Sequence, residues 1–153
     1  MDSIEFILRL LAAMAAGGLI GLEREWSNKS AGLKTNMLVA VGACIYVLIS
    51  VNISQGSEQS DPSRIIGQIV TGIGFLGGGV ILHKGLNIQG LTTAATIWCS
   101  AAVGSVAGLG YFLEAAFCTI AVLIINLFFQ KIEVWIETNK LKSNAKDSNK
   151  KLD

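Results

Sequence analysis

Charge is what this sequence has least of. Asp, Glu, Lys and Arg supply 15% of its 153 residues, against roughly 25% in an ordinary soluble domain. Between Phe6 and Gln130 only eleven such side chains occur, whereas the 23 residues from Lys131 to Asp153 hold ten. There is one proline, Pro62, one histidine, His83, and three cysteines. With 52% hydrophobic residues and a mean hydropathy of +0.56, such a chain cannot cover a water-facing surface with polar groups and needs lipid around it. Soluble enzymes are excluded on that ground. A net charge of +1 gives no field to draw in nucleic acid or acidic substrates. Cys44, Cys99 and Cys118 are an odd set inside apolar runs, without CxxC spacing, so they read as small buried residues and not as a disulfide framework or metal site. His83 has no second His or Cys nearby, and metal ligation is not expected. No Ser–His–acid set, Walker-type GK[ST], HExxH or GxGxxG after a strand is present, so neither catalytic residues nor a cofactor site is expected.

Long apolar runs are what the chain does have. About 20 residues are needed to cross the hydrocarbon. Five stretches qualify: Phe6–Leu22, Thr35–Ser57, Ile65–Leu82, about Thr92–Ala107, and Tyr111–Ile132. The last two must be separate, because a helix over residues 91–131 would be about 60 Å long at 1.5 Å per residue, twice the membrane core. Gly108 and Gly110 mark the fold-back. The first run has no basic leader or small-residue cleavage site, and reads as a retained span. The expected fold is therefore an all-α integral membrane protein of about five transmembrane helices, residues 1–132, followed by a basic, mobile cytoplasmic tail, residues 133–153.

Five spans place ten basic residues on one side (Arg24, Lys29, Lys34, Lys84 and six in the tail) and only Arg9 and Arg64 on the other. The positive-inside rule then puts the N-terminus outside and the C-terminus inside. Trp26 and Trp135 fall at the inner edge and Tyr111 at the outer edge, where amphipathic rings prefer to lie.

Small residues recur at helix-packing spacing in Gly17/Gly21, Gly74/Gly78 and Gly104/Gly108, which lets membrane helices approach closely. The third span is glycine-rich, with five glycines in GIGFLGGG (Gly72–Gly79). Two readings stay open for it: a tightly packed central helix, or a broken helix whose carbonyls line a site. Arg9 either faces the bundle or a partner, or snorkels to the head groups; if buried, Glu23, Asn36 or a neighbouring subunit is expected against it. Glu25 and Lys29 are spaced for a surface pair. Thr35, Asn36, Gln68, Thr71, Thr92, Thr93 and Thr96 suit interhelical hydrogen bonds. No carboxylate falls in mid-membrane: Glu23 and Glu25 lie at the inner edge, and Glu58, Asp61 and Glu114 at the outer. Because Mg²⁺ sheds water reluctantly and is usually held through carboxylates, this placement disfavours a cation pump.

Arg9, GGLIGLERE (Gly17–Glu25), AGLKTNMLVAVGA (Ala31–Ala43), GQIVTGIGFLGGGVI (Gly67–Ile81) and GLTTAATIWCSAAVGSVAGLGY (Gly90–Tyr111) occur in an order that resembles the membrane domain of the MgtC/SapB family, over about Arg9 to Phe129. The resemblance implies a bacterial inner-membrane protein linked to growth in low magnesium and, in pathogens, to virulence inside host cells. It also implies regulation of other membrane proteins, the F-type ATP synthase among them. The motif positions it carries over are Arg9, Glu23, Arg24, Gly32, Thr35, Gly72, Gly74, Phe75, Gly77, Thr92, Thr93 and Trp98. Lys34 and Asn36 depart from the usual AGLRTH, and Gly78 from GFLGAG; lysine keeps the charge but not the planar fork of arginine. Many members carry a cytoplasmic regulatory domain after the fifth span, where this sequence has its short tail.

Two functional expectations follow. The first is a non-enzymatic regulator whose glycine-faced bundle docks other membrane proteins or a second copy of itself. The alternative is a channel or carrier for Mg²⁺ or another small solute, built on an interrupted third span near Gln68, Thr71, Thr92 and Thr93.

Overall fold

The computed structural model describes residues 1–54, 61, 63–84 and 87–129. The basic tail, Trp135, Glu58 and the far ends of the second and fifth expected spans lie outside the described residues. Among the described residues five helices run in order: α1 (Ser3–Trp26), α2 (Leu33–Ser54), α3 (Ser63–Gly79), α4 (Leu91–Gly108) and α5 (Phe112–Phe129). All but α3 are long and apolar enough to cross a membrane. At 17 residues α3 is the shortest, about 25 Å at 1.5 Å per residue.

Local signals set the helix ends. Asp2 caps α1 by accepting from the Ser3 N–H at 2.9 Å. Positive φ at Asn28 and Ala31 turns the chain between α1 and α2. Asp61 accepts from both the N–H and the hydroxyl of Ser63 at the start of α3, and these two bonds hold its carboxyl below the usual range. Gly110, at φ +88°, reverses the chain between α4 and α5 at the expected place.

α3 is an unbroken α-helix through Gly79. The broken-helix reading is thus corrected, because every residue from Ser63 to Gly79 keeps helical backbone. The packed-helix reading is corrected as well: of the glycines in this helix only Gly77 is buried, and a Cβ at Gly67, Gly72, Gly74, Gly78 or Gly79 would meet nothing within 4 Å. The expected span to Leu82 also ends early. Leu82–Lys84 pairs with Asn87–Gln89 as a small antiparallel ribbon, with His83 opposite Ile88, so the chain is not strictly all-α. The ribbon closes against Gly90, whose φ of +91° and close approach to the Val80 carbonyl leave no room for a side chain.

The core lies between α1, α2 and α4. A Cβ on Gly17 would come within 2.7 Å of the Ala40 Cβ, and one on Gly21 within 2.6 Å of the Leu33 Cα. From the other side, a Cβ on Gly104 would overlap the Ala40 carbonyl, and one on Gly108 would come within 3.0 Å of the Cys44 carbonyl oxygen. Thus α2 is pressed between glycine faces of α1 and α4. Ala13, Ile20, Cys44, Leu48, Val103 and Ala107 fill the space, with Ala115 of α5 closing it. Cys44 is buried as expected; Cys99 is half-buried, and Cys118 is exposed on α5, a correction that follows from its position on the outward face of that helix.

Candidate functional site

The end of α1 carries Glu23, Arg24 and Glu25 in succession. A helix turns about 100° per residue, so three consecutive side chains leave in three directions. Glu23 reaches α5: Oε2 accepts from Asn126 Nδ2 at 2.9 Å, and Oε1 accepts from the Ser27 hydroxyl at 2.8 Å. Arg24, only 2% exposed, reaches α4, where Nη2 donates to the Thr93 hydroxyl at 3.0 Å. Glu25 reaches α2, accepting from the Leu33 N–H at 3.1 Å. The expected Glu25–Lys29 surface pair is therefore replaced by a helix-start bond. A Cβ on Gly32 would overlap the Glu25 carboxylate where it now lies, so a side chain there would push that acid off the start of α2.

Asn36 is a second polar node, with no exposed surface. Its Oδ1 accepts from the Ser100 hydroxyl at 2.8 Å, and its Nδ2 donates to the carbonyls of Ala31 at 2.6 Å and Gly32 at 3.0 Å. Every bond this amide makes ties α2 to α4 or to its own leading turn, as a buried amide requires. Around the same end, Arg24, Asn28, Lys29, Ser30, Gly90, Thr92 and Thr93 line a polar cavity of about 170 Å³.

Arg9 sits at the opposite end of the bundle. It is largely buried, donates from Nη1 to the Gly108 carbonyl at 2.8 Å, and pairs with Glu5 one turn earlier. Glu23 and Asn36 are not its partners, because they lie more than two helical turns further along the bundle. Gly110 packs so closely on the guanidinium that a Cβ there would come within 2.9 Å of its carbon.

The remaining candidates are not gathered at either node. Lys34 and Thr35 are exposed on the first turn of α2. Gln68 and Thr71 are exposed on α3, where the Thr71 hydroxyl donates to its own helix at the Gly67 carbonyl, 3.0 Å away. Gly72 and Gly74 are open, Gly77 lies against Ala94, and Phe75 is 83% exposed. Trp98 on α4 borders an apolar cleft of about 220 Å³ with Ile66, Ile69 and Ile73 of α3. A larger apolar groove, about 540 Å³, separates α2 from α3 along Leu38, Gly42, Tyr46, Gln68, Ile69 and Gly72. Thr92 and Thr93 reach the polar cavity near Arg24 and not the outward face of α3.

Sequence reasoning missed Ser100 and Asn126, the partners of Asn36 and Glu23. Asn126 carried a usable signal, being a lone amide within the apolar run from Ala115 to Phe129. Ser100 carried none, since a serine among alanines in a membrane helix suits its own backbone equally well.

With this geometry in place, comparison with known proteins is informative. Residues 10–135, most of the chain, match the model of the MgtC family. Protein MgtC of Salmonella typhimurium is 52% identical over 126 residues, covering 82% of this chain and 53% of that protein. Protein MgtC of Brucella abortus is 45% identical over 136 residues, covering 89% and 56%. An uncharacterized protein of Synechocystis is 46% identical over 143 residues, covering 94% and 60%. The chain thus spans little more than half the length of these relatives. No solved structure matches it.

Proposed function

Because the chain belongs to the MgtC family, we propose that it is a non-enzymatic, multi-pass protein of the bacterial inner membrane that supports adaptation to low magnesium, and virulence where its host is a pathogen, by docking other membrane proteins. The family name and the relatives called MgtC support the magnesium link. The observation that carries the docking mode is the open face of α3. Gly67, Gly72, Gly74 and Gly78 have nothing within 4 Å of where a Cβ would stand, beside the bare ring of Phe75. Lipid tails gain little from meeting glycine, whereas a partner helix gains close backbone contact there. The paired glycines of α1 and α4 are already filled by α2, so among the described residues the glycine face of α3 is the one left open to the backbone of a second chain. A membrane subunit of the F-type ATP synthase is one partner to test, and a second copy of this chain another.

The test uses Gly74→Leu and Gly78→Leu, which the surrounding space accommodates. Both variants are expected to reach the membrane at normal levels, fail to support growth in low magnesium, and lose co-purifying membrane protein. Purified protein in liposomes is expected to pass no Mg²⁺. Saturable Mg²⁺ uptake by the protein alone, with growth unaffected by the two leucines, would replace the docking reading with the carrier.

A further inference from the structure

Between α2 and α3 the bundle is split by an open groove of about 540 Å³. Its walls are apolar over most of their length, with Leu38, Val39 and Ala43 on α2 facing Ile69, Ile73 and Leu76 on α3. Gly42 and Gly72 stand on opposite walls, and a Cβ on either would meet nothing within 4 Å. Walls left without neighbours forfeit their dispersion contacts, so a groove of this size in hydrocarbon is stabilised by whatever fills it. Gly74 and Gly78 do not line it, which makes it a place apart from the docking face.

Polar groups gather at one end of the groove. The start of α2 meets Glu25, and the end of α3 packs on Ala94 near the start of α4, where Arg24 bonds Thr93. The start of α2 and the end of α3 therefore share a level, and the two helices run in opposite directions. Leu38 thus lies beside Leu76, and Tyr46 beside Ile65 and Gln68. Tyr46 and Gln68 are the two lining residues with polar side chains, and both belong to this second end. One turn before Gln68, on the same side of α3, stands the exposed Arg64. Asp61, the acid nearest to it in sequence, is engaged by the N–H and hydroxyl of Ser63. The groove is positively charged at one mouth and apolar from there inwards.

We propose that the groove holds one acyl chain of an anionic phospholipid, with its phosphate at Arg64 and its ester oxygens against Gln68 and Tyr46. Length supports this occupant: Arg64 to Leu76 is about 18 Å at 1.5 Å per residue, close to the ~15 Å that one leaflet contributes to the hydrocarbon core. Volume separates it from a helix. The groove has room for on the order of 18 groups the size of a water or a methylene, at roughly 30 Å³ each. A helix about 10 Å across would need on the order of 1,400 Å³ over the same length, and would ride on the rims. Charge selects the head group. The other basic residue on this side, Arg9, is committed to Gly108 and Glu5, which leaves Arg64 to meet a phosphate. The positive-inside count makes this the outer leaflet.

Binding is measured by native mass spectrometry on the full chain in a maltoside detergent, titrated separately with dioleoyl-phosphatidylglycerol and dioleoyl-phosphatidylcholine. One phosphatidylglycerol is expected to bind each chain about fivefold more tightly than phosphatidylcholine, the worth of one basic residue at an anionic head group. Arg64→Gln is expected to abolish that preference. Gly42→Leu, whose side chain would enter open space, is expected to weaken both lipids at least tenfold by filling the groove from the α2 wall. Arg64 is exposed, so its variant remains interpretable if the Gly42 variant fails to fold. A phosphatidylglycerol carrying a diazirine at the far end of one chain is expected to label the peptides that hold Leu38 and Leu76. Equal binding of the two lipids, a preference that survives Arg64→Gln, binding indifferent to Gly42→Leu, or labels concentrated on other helices would each overturn the proposal. A dimer that retains no phosphatidylglycerol and dissociates in Gly42→Leu would overturn it too, by giving the groove to a second copy of the chain.

Discussion

A membrane helix tolerates a charged side chain only where something accepts it, and Arg9 meets that condition at its two terminal nitrogens, Nη1 on the Gly108 carbonyl and Nη2 on Glu5, while its buried Nε has no partner among the described residues. Its guanidinium closes the junction of α4 and α5 by donating to the Gly108 carbonyl, at the point where the last turn of α4 leaves its carbonyls without helical partners. Glu5 answers the charge from one turn away, and its side chain is half-exposed. The two partners should therefore respond differently to substitution. Arg9→Ala leaves the carbonyl unsatisfied and opens space under Gly110, which is expected to destabilise the fold by about 1–3 kcal/mol. Glu5→Gln is expected to lower stability by well under 1 kcal/mol, because solvent screens the exposed carboxylate. Thermal unfolding in detergent, with folded yield in the membrane, separates the two. Equal, unchanged melting curves would mean that Arg9 only snorkels to the head groups.

At the level of the helix, one sequence pattern has two structural outcomes. Gly17/Gly21 and Gly104/Gly108 bring α1 and α4 onto α2, whereas Gly74/Gly78 with the same spacing faces open space. Gly104→Ala is expected to lose roughly 1–3 kcal/mol through overpacking on the Ala40 carbonyl. Gly74→Ala is expected to gain up to about 1 kcal/mol, because an exposed helix favours alanine over glycine. Unfolding of both variants by urea in mixed micelles provides the measurement; a loss at Gly74 equal to that at Gly104 would show α3 packed as tightly as α4. This contrast also marks how far the sequence was legible. Apolar run length and the glycine pair near Gly108 revealed the helices and the α4–α5 turn, because span length and chain reversal are local properties. Which glycine face meets a neighbour is not local, since spacing specifies a flat surface and not its occupant. The ribbon at Leu82–Gln89 escaped for a related reason: its register comes from cross-strand pairing, and its apolar residues read equally well as the end of a helix. For the candidate residues, GLERE was visible as a charged helix end, but its three directions appear only once α2, α4 and α5 are placed around it.

For the molecule as a whole, those three directions fix which ends of the helices lie together. Glu23 meets Asn126 near the end of α5, Arg24 meets Thr93 at the start of α4, and Glu25 meets Leu33 at the start of α2. Gly77, near the end of α3, packs on Ala94 at the same level. Arg9 meets Gly108 at the far end, and Arg64 opens α3 on that side. The helices therefore run alternately up and down, and α5 leaves the bundle on the side of Lys29 and Lys34. This adds to the positive-inside argument a constraint that a count of spans does not supply: the side facing Lys29 and the side reached by the end of α5 must be the same. Basic residues are retained on the cytoplasmic side, so a cytoplasm-active fluorescent reporter fused after residue 153 is expected to be bright, and a reporter active only outside the membrane is expected to be silent there. A cysteine at Lys29, in a background with Cys44, Cys99 and Cys118 replaced by serine or alanine, is expected to resist a membrane-impermeant thiol reagent in intact cells and to react once the cells are opened. If Lys29→Cys were labelled from outside while the C-terminal reporter stayed bright inside, the two ends would lie on opposite faces, and the bond between Glu23 and Asn126 could not exist in the membrane.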